Sequence, residues 1–331
     1  MKAINLTNKN PGGKREKLIN KLPLETPYII QIFPSFNCPF KCFYCGIFNT
    51  DKKDDIYISS VKHMSFELYK KCVDDMKKFK NKIKVVRFVG IGEPLTNPSI
   101  YEMIKYTKES DVANIIEIIT NGYLLNPENS EKLIDSGVDR IVISLQGINS
   151  ESYKEISGIK IDFNKFVSNI GYLYSIRKDA HIYIKIADLA LKDNKEKEEY
   201  FNLFGNICDS IAIEHIAPLH DGVDLELKED EITQFGGKIK NTKICSVPFY
   251  MIQVNPDGAC VPCYNFNYPV KLGNIRKKSL VDIWKDNIFR KFMIQNTKNV
   301  NRVCNLCTME TYRYHKEDDL DNYVNKLKKI Y

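Results

Sequence analysis

Cys38-Pro39-Phe40-Lys41-Cys42-Phe43-Tyr44-Cys45 places three thiols in one short stretch, spaced C-x3-C-x2-C. No fourth thiol stands in that run. Three thiolates can hold three irons of a four-iron cluster and leave the last iron open. A catalytic zinc with three protein ligands keeps a position for substrate in the same way. A zinc knuckle or three unrelated thiols would also satisfy the spacing, so the surroundings have to decide. Immediately upstream, Tyr28-Ile29-Ile30-Gln31-Ile32-Phe33 is an apolar run of strand length that delivers the chain into the loop.

Strand and helix signals then alternate. Residues 46–64 are polar and read as an exposed excursion. Ser65 can cap a helix to about Lys80, with Phe66, Tyr69, Val73 and Met76 as its apolar stripe. Strands follow at 84–89, 115–119, 140–145, 181–186 and 210–215, separated by helical patterns at 98–109, 129–136, 162–177 and 195–204. Gly137 closes the second of these helices as a C′ residue. Six strands at roughly 30-residue intervals mean repeated βαβ units and a parallel sheet. Right-handed crossovers curl such a sheet toward a barrel, and six units predict an open one. Functional residues in these sheets gather at the carboxyl ends of strands, where the cysteine loop lies.

The chain has 331 residues, 43% of them hydrophobic, enough for a large domain plus a smaller one and too apolar for disorder. Lys+Arg number 49 against Asp+Glu 42, and the excess of +7 is spread over mixed-charge helix faces. A nucleic-acid footprint would cluster on one face, so nucleic acid is not an expected partner. The first residues lack the apolar core of a signal peptide, and no apolar run reaches membrane-spanning length. A cytoplasmic protein is therefore expected, and its ten cysteines read as metal-binding or catalytic thiols, not as a disulfide framework. Cys72 and Cys208 read as core thiols.

Short polar motifs end the strands. Gly90-Ile91-Gly92-Glu93-Pro94 follows strand two, and its glycines permit close backbone approach. Thr120-Asn121-Gly122 follows strand three and Ser144-Leu145-Gln146-Gly147 strand four; each is also an ordinary turn sequence. Lys185, among apolar neighbours in strand five, would be costly to bury without an anion, and a carboxylate partner is expected. These residues converge on the ends of consecutive strands around one loop of three thiols.

On these residues the chain is identified as resembling the radical SAM enzymes. Cys38, Cys42, Tyr44 and Cys45 resemble the CxxxCxφC signature; Gly92-Glu93-Pro94 is similar to the GGEP motif, and Ser144-Leu145-Gln146-Gly147 to the ribose motif. The resemblance spans about residues 28–216. It implies a partial (β/α)6 barrel and a [4Fe-4S] cluster on Cys38, Cys42 and Cys45 whose open iron is chelated by S-adenosylmethionine (SAM). It further implies that Gly90, Gly92, Glu93 and Pro94 face the SAM amino group, Tyr44 the adenine, and Ser144 and Gln146 the ribose. Asn121 and Lys185 are added as cofactor contacts. Ile91 departs from the usual paired glycines, and Gln146 stands where an acid is often found.

A second set of cysteines lies beyond residues 216–244. Phe249–Val254 alternates like a strand, Asp257-Gly258 signals a hairpin, and residues 259–263 return. Helices are expected from about Ser279 to Lys291 and from about Asp318 to the end. Cys304-Asn305-Leu306-Cys307 is a C-x2-C bite for zinc or iron–sulfur. Cys260 and Cys263 point to opposite faces of a strand, so only one can easily join Cys245 and that pair. The stretch from Asn255 to Cys263 resembles the segment DGxxxPC of SPASM and twitch domains. That resemblance implies Cys263 as ligand, with Cys245, Cys304 and Cys307, in one auxiliary [4Fe-4S] cluster. The expected organisation is a polar N-terminal tail at 1–26, the barrel at 27–216, a linker at 217–240, a twitch-type domain at 241–310 and a C-terminal helix at 311–331.

The resemblance implies reductive cleavage of SAM to a 5′-deoxyadenosyl radical, with an external electron donor such as flavodoxin or ferredoxin. The layout is similar to that of twitch-domain alcohol dehydrogenases of aminoglycoside biosynthesis. It implies hydrogen abstraction from a small polar substrate and oxidation through the auxiliary cluster. Candidate bases are His215 and His220, near strand six, and Asp188, after strand five. Maturation of a ribosomally made peptide is the alternative. The short polar N-terminus leaves no room for a separate peptide-binding domain and favours a small molecule. A non-catalytic electron carrier would not need the SAM-facing motifs.

Overall fold

The computed structural model describes residues 1–13, 15–45, 59–217, 232–264, 268–295 and 302–331. Among them, ten strands form one sheet. They are β1 (Ile4–Asn5), β2 (Ile29–Ile32), β3 (Ile83–Phe88), β4 (Ala113–Thr120), β5 (Arg140–Leu145), β6 (His181–Ala187), β7 (Ser210–Glu214), β8 (Met251–Val254), β9 (Ala259–Val261) and β10 (Gly273–Asn274). Their order across the sheet is β1-β7-β6-β5-β4-β3-β2-β8-β9-β10. Strands β2 to β7 are all parallel neighbours. The connecting helices are α1 (Phe66–Met76), α2 (Ile100–Glu109), α3 (Pro127–Asp135), α4 (Ser150–Ser157), α5 (Phe163–Ile176) and α6 (Asn194–Phe204). This is the open (β/α)6 barrel that the spacing predicts.

Local chemistry sets where the helices begin. Ser65, Asn126, Asp162 and Asp193 each turn a side-chain oxygen back onto an amide of the first turn, at 3.3, 2.8, 3.1 and 2.9 Å. The extra helix α4 begins with a capping box between Asn149 and Ser152. Helix α1 buries Leu68, Tyr69, Cys72, Val73 and Met76 against the sheet. Cys72 and Cys208 are core thiols.

The N-terminal stretch, read from sequence as a tail or a short covering segment, lies on the sheet. Ile4 and Asn5 pair in parallel with Ser210 and Ile211, so the N-terminus covers the β7 edge of the sheet. Leu6 packs with Val142, Tyr183 and Ala212 inside the barrel, and Leu18 and Ile19 are buried. The apolar residues responsible are scattered through a polar stretch and carry no period.

The other edge is closed by the second cysteine segment. Asp257-Gly258 does form a hairpin, with Gly258 at φ 86. Its first strand, β8, runs parallel to β2, with Ile29 opposite Met251 and Ile32 opposite Val254. The auxiliary segment therefore continues the barrel sheet. Past β10, the expected single helix is two, α7 (Leu280–Trp284) and α8 (Asn287–Gln295). The break falls at Asp286, which caps the second through the Ile288 amide at 2.7 Å. The Leu280 amide donates to buried Asp75 at 3.1 Å, tying α7 to α1. Two short helices follow, α9 (Arg302–Leu306) and α10 (Met309–Tyr312), and the C-terminal helix α11 is confined to Val324–Ile330.

Candidate active site

The cysteine loop leaves the carboxyl end of β2 and is held against the end of α4. The amides of Lys41 and Phe43 donate to the carbonyls of Ser157 and Ile156 at 2.8 and 3.0 Å. Phe40 is buried between Tyr123 and Tyr153, ring centroids 5.3 and 6.0 Å away. With that anchor, Cys38, Cys42 and Cys45 line one cavity of about 290 Å³ at the mouth of the barrel. Burial pushes the Cys38 thiol up to about 11 and the Cys42 thiol up to about 12. Metal binding there must displace protons.

The Gly90–Pro94 stretch presses onto the same loop. A Cβ on Gly92 would stand 2.4 Å from the Ser35 carbonyl oxygen and 2.6 Å from that of Asn37. The close approach that demands glycine is therefore to the chain just before Cys38, although Gly90, Gly92 and Glu93 also line the cavity. The Glu93 amide donates to the Asn37 carbonyl at 2.7 Å. The Glu93 carboxylate is 3% exposed and accepts from the Leu95 amide, the Thr120 hydroxyl and the Asn121 amide at 3.1, 2.6 and 2.8 Å. Burial pushes its pKa up to about 6 against those three donors. The Asn121 side chain reaches Cys38 Sγ at 3.8 Å. Pro94 opens a buried 3-10 turn and does not line the cavity.

Ser144 and Gln146 line the opposite wall. Gln146 Nε2 donates to the Ser144 carbonyl at 3.1 Å, and its Oε1 accepts from the Tyr44 hydroxyl. The Cys42 thiol also donates to that oxygen, at 3.5 Å. The loop and the ribose-motif residues are thus in direct contact.

Lys185 finds the carboxylate that its position requires, Glu214 at 2.7 Å. Glu214 also accepts from Tyr183 at 3.0 Å and from Gln234 at 2.6 Å. Burial alone would raise its pKa; the Lys185 ammonium and the other donors hold it below the usual carboxylate range. His215 lines the cavity, with Nδ1 3.0 Å from Asp188 and Nε2 2.8 Å from Asn8 Oδ1. Asp188 stands behind the imidazole and also accepts from the Ile216 amide at 3.0 Å. His220 lies outside the described residues.

Cys245, Cys263, Cys304 and Cys307 line a second cavity of about 40 Å³, walled by Val247, Phe292 and Met309. Cys260, on β9, is fully buried in the core and does not line it. Glu310 does, and its Oε1 accepts from the Ser246 amide at 2.7 Å. Among the described residues, no three His, Cys, Asp or Glu side chains close around a single ion. In a four-iron cluster each thiolate binds its own iron, and three or four thiols lining one cavity match that donor set. An all-thiol donor set, three in one cavity and four in the other, fits both groups.

Asn8, Glu214, Gln234 and Glu310 complete these sites without any sequence motif. Of them, Glu214 alone had a legible cue, as the acid that a buried lysine on the neighbouring strand requires.

Residues 32–201 match the Radical SAM superfamily, and residues 245–308 match SPASM, the iron-sulfur cluster-binding domain. The tungsten-containing aldehyde ferredoxin oxidoreductase cofactor-modifying protein of Pyrococcus furiosus is 24% identical over 315 residues, covering 80% of this chain and 84% of that protein. Streptococcus suis SuiB bound to S-adenosylmethionine superposes with a TM-score of 0.65 at 17% identity, over 93% of this chain and 79% of that one. BtrN in complex with AdoMet and 2-DOIA gives 0.52 at 19% identity, over 87% and 97%. No helix among the described residues is long and apolar enough to cross a membrane.

Proposed function

Because this chain belongs to the Radical SAM superfamily and carries a SPASM iron-sulfur domain, we propose that it is an oxidoreductase of a small polar substrate, sugar- or polyol-like. The observation that supports this most is the completeness of the second thiol set. Four thiols around one small cavity leave no position for substrate, so a cluster there serves as an electron acceptor. The cluster and SAM, when bound at the first three thiols, supply hydrogen-atom abstraction from a substrate carbon.

The chain's own residues do the rest. The backbone around Gly92 and the side chains of Tyr44, Asn121, Ser144 and Gln146 form the walls that would orient SAM. The Lys185–Glu214–Gln234 group provides both donors and acceptors for substrate hydroxyls. Asp188 and Asn8 Oδ1 are both acceptors facing the two ring nitrogens of His215, so Nε2 can receive the proton of the oxidised hydroxyl only as a neutral Nδ1–H imidazole that has let go of Asn8. Asn8 now occupies that nitrogen, so a substrate hydroxyl must take its place. The external donor is a small redox protein such as flavodoxin or ferredoxin.

Anaerobic turnover with SAM and reductant tests the reading. Polyol or aminosugar candidates should lose two hydrogens by mass, with matching 5′-deoxyadenosine. In Cys304→Ala, 5′-deoxyadenosine should still form while the oxidised product disappears. Turnover of precursor peptides alone would replace this reading with peptide maturation. The likeness to SuiB, also solved with its precursor peptide SuiA, makes that control necessary.

A further inference from the structure

One chain of side chains joins the two thiol-lined cavities. It starts at Gln234 on the wall of the first, whose Nε2 donates to Glu214 and whose Oε1 accepts from Arg313 Nε at 2.8 Å. Arg313 follows directly on α10, the helix behind Cys307. Its guanidinium carbon lies 4.9 Å from the centroid of the Tyr264 ring. Tyr264 is the sequence neighbour of Cys263. Tyr264 also packs on Phe33, Phe36 and Ile91, an apolar group that Cys45 touches as well. A cation and an aromatic ring therefore stand between the sites.

The acid at the near end of this chain, Glu214, is already paired with Lys185 at 2.7 Å. Arg313 faces that acid only at longer range, through Gln234. A cluster held by four thiolates carries net negative charge, and its potential follows local charge and hydrogen bonding. A guanidinium cannot lose its proton at working pH, so its effect is constant.

We propose that Arg313 is a charge-compensating positioning residue for the auxiliary cluster, held on Tyr264 by Gln234, and that it makes that cluster easier to reduce. The proposal rests on the reading of Cys245, Cys263, Cys304 and Cys307 as the cluster's ligands. The oxidation of any particular substrate does not enter it.

The test is a redox titration of the full, anaerobically reconstituted chain, followed by electron paramagnetic resonance. Added SAM perturbs the first cluster's signal and so distinguishes the two. In Arg313→Met the equilibrium constant for reducing the auxiliary cluster should fall at least tenfold, about 59 mV for one electron. The SAM-responsive cluster should not move. An unchanged potential, or an equal shift of both clusters, would overturn the proposal. Should Arg313→Met take up no iron, Arg313→Gln decides, since it keeps an amide donor for the Gln234 oxygen and removes only the charge. A shift in the same direction supports the proposal, and a wild-type potential overturns it. Wild-type protein holding only about four irons would instead remove the ligand reading, and the proposal with it.

Discussion

Lys185 and Glu214 form an ion pair of 2.7 Å across neighbouring strands β6 and β7, on the wall of the cavity that holds the first three thiols. Glu214 is 8% exposed, so removing its cation leaves a buried charge held, among the described residues, by hydrogen bonds from Tyr183 and Gln234 and by the more distant Arg313 charge. Lys185→Met should therefore destabilise the protein by about 3 kcal/mol. Adding Glu214→Gln should recover at least about 1 kcal/mol of that. Anaerobic urea unfolding of the two single variants and the double variant measures the coupling. Additive losses would mean that the pair does not act as one.

Gly92 is fixed by its neighbours' backbone. The three atoms nearest to an added Cβ are backbone atoms of residues 35–37, at 2.4, 2.6 and 2.7 Å, and backbone cannot swing aside as a side-chain end can. Gly92→Ala must push the strand-two motif away from the cysteine loop, which should cost about 3 kcal/mol. It should also break the 2.7 Å bond from the Glu93 amide to Asn37. Thermal unfolding and equilibrium binding of SAM should both register the change. A wild-type Tm in this variant would contradict the close approach.

The barrel and its cysteine loop were legible because their signals are local. Thiol spacing, apolar runs of strand length and glycine motifs at strand ends each occupy a few residues. Gln146 and Lys185 were visible for the same reason. What escaped depends on distant pairing. Asn8 meets His215 across 207 residues, and nothing near Asn8 announces it. The parallel pairing of β8 with β2 was invisible, because an alternating strand beside a hairpin does not reveal its other neighbour. Helix α4 was missed beside the Ser144–Gly147 turn, although Asn149 and Ser152 form a capping box that the sequence does display.

Cys260, on β9, and Cys263, just beyond it, separate cleanly. Cys263 lines the auxiliary cavity, whereas Cys260 is 0% exposed and does not. Cys260→Ala should leave the iron content at about eight per chain and lower stability by about 1–2 kcal/mol, as a small core truncation does. Cys263→Ala should bring the iron to about four. Iron and sulfide analysis after identical reconstitution decides between them. The opposite pattern would move the fourth ligand to Cys260.

His315 provides a test against pH. Burial, helped by the Arg15 charge, holds its pKa down to about 4, and its ring stacks on Phe235 at 5.8 Å. A folded-state pKa below the unfolded value of about 6.5 means that the unfolded chain binds the proton more tightly. The stability that neutral His315 contributes is present above about pH 6.5 and is lost as pH falls toward 4, by at most about 3 kcal/mol for this half-buried ring. Glu93 acts in the opposite sense. Its raised folded pKa of about 6 takes stability away as pH rises from about 4.5 to 6, by about 2 kcal/mol. The two effects offset each other in the overlapping window, so the wild-type curve should be shallow there. His315→Phe keeps the stacking and removes the proton site. Its stability relative to wild type should rise steadily from pH 6.5 to pH 4, read from unfolding midpoints in matched buffers. A constant difference across that range would show that His315 takes up its proton as readily folded as unfolded.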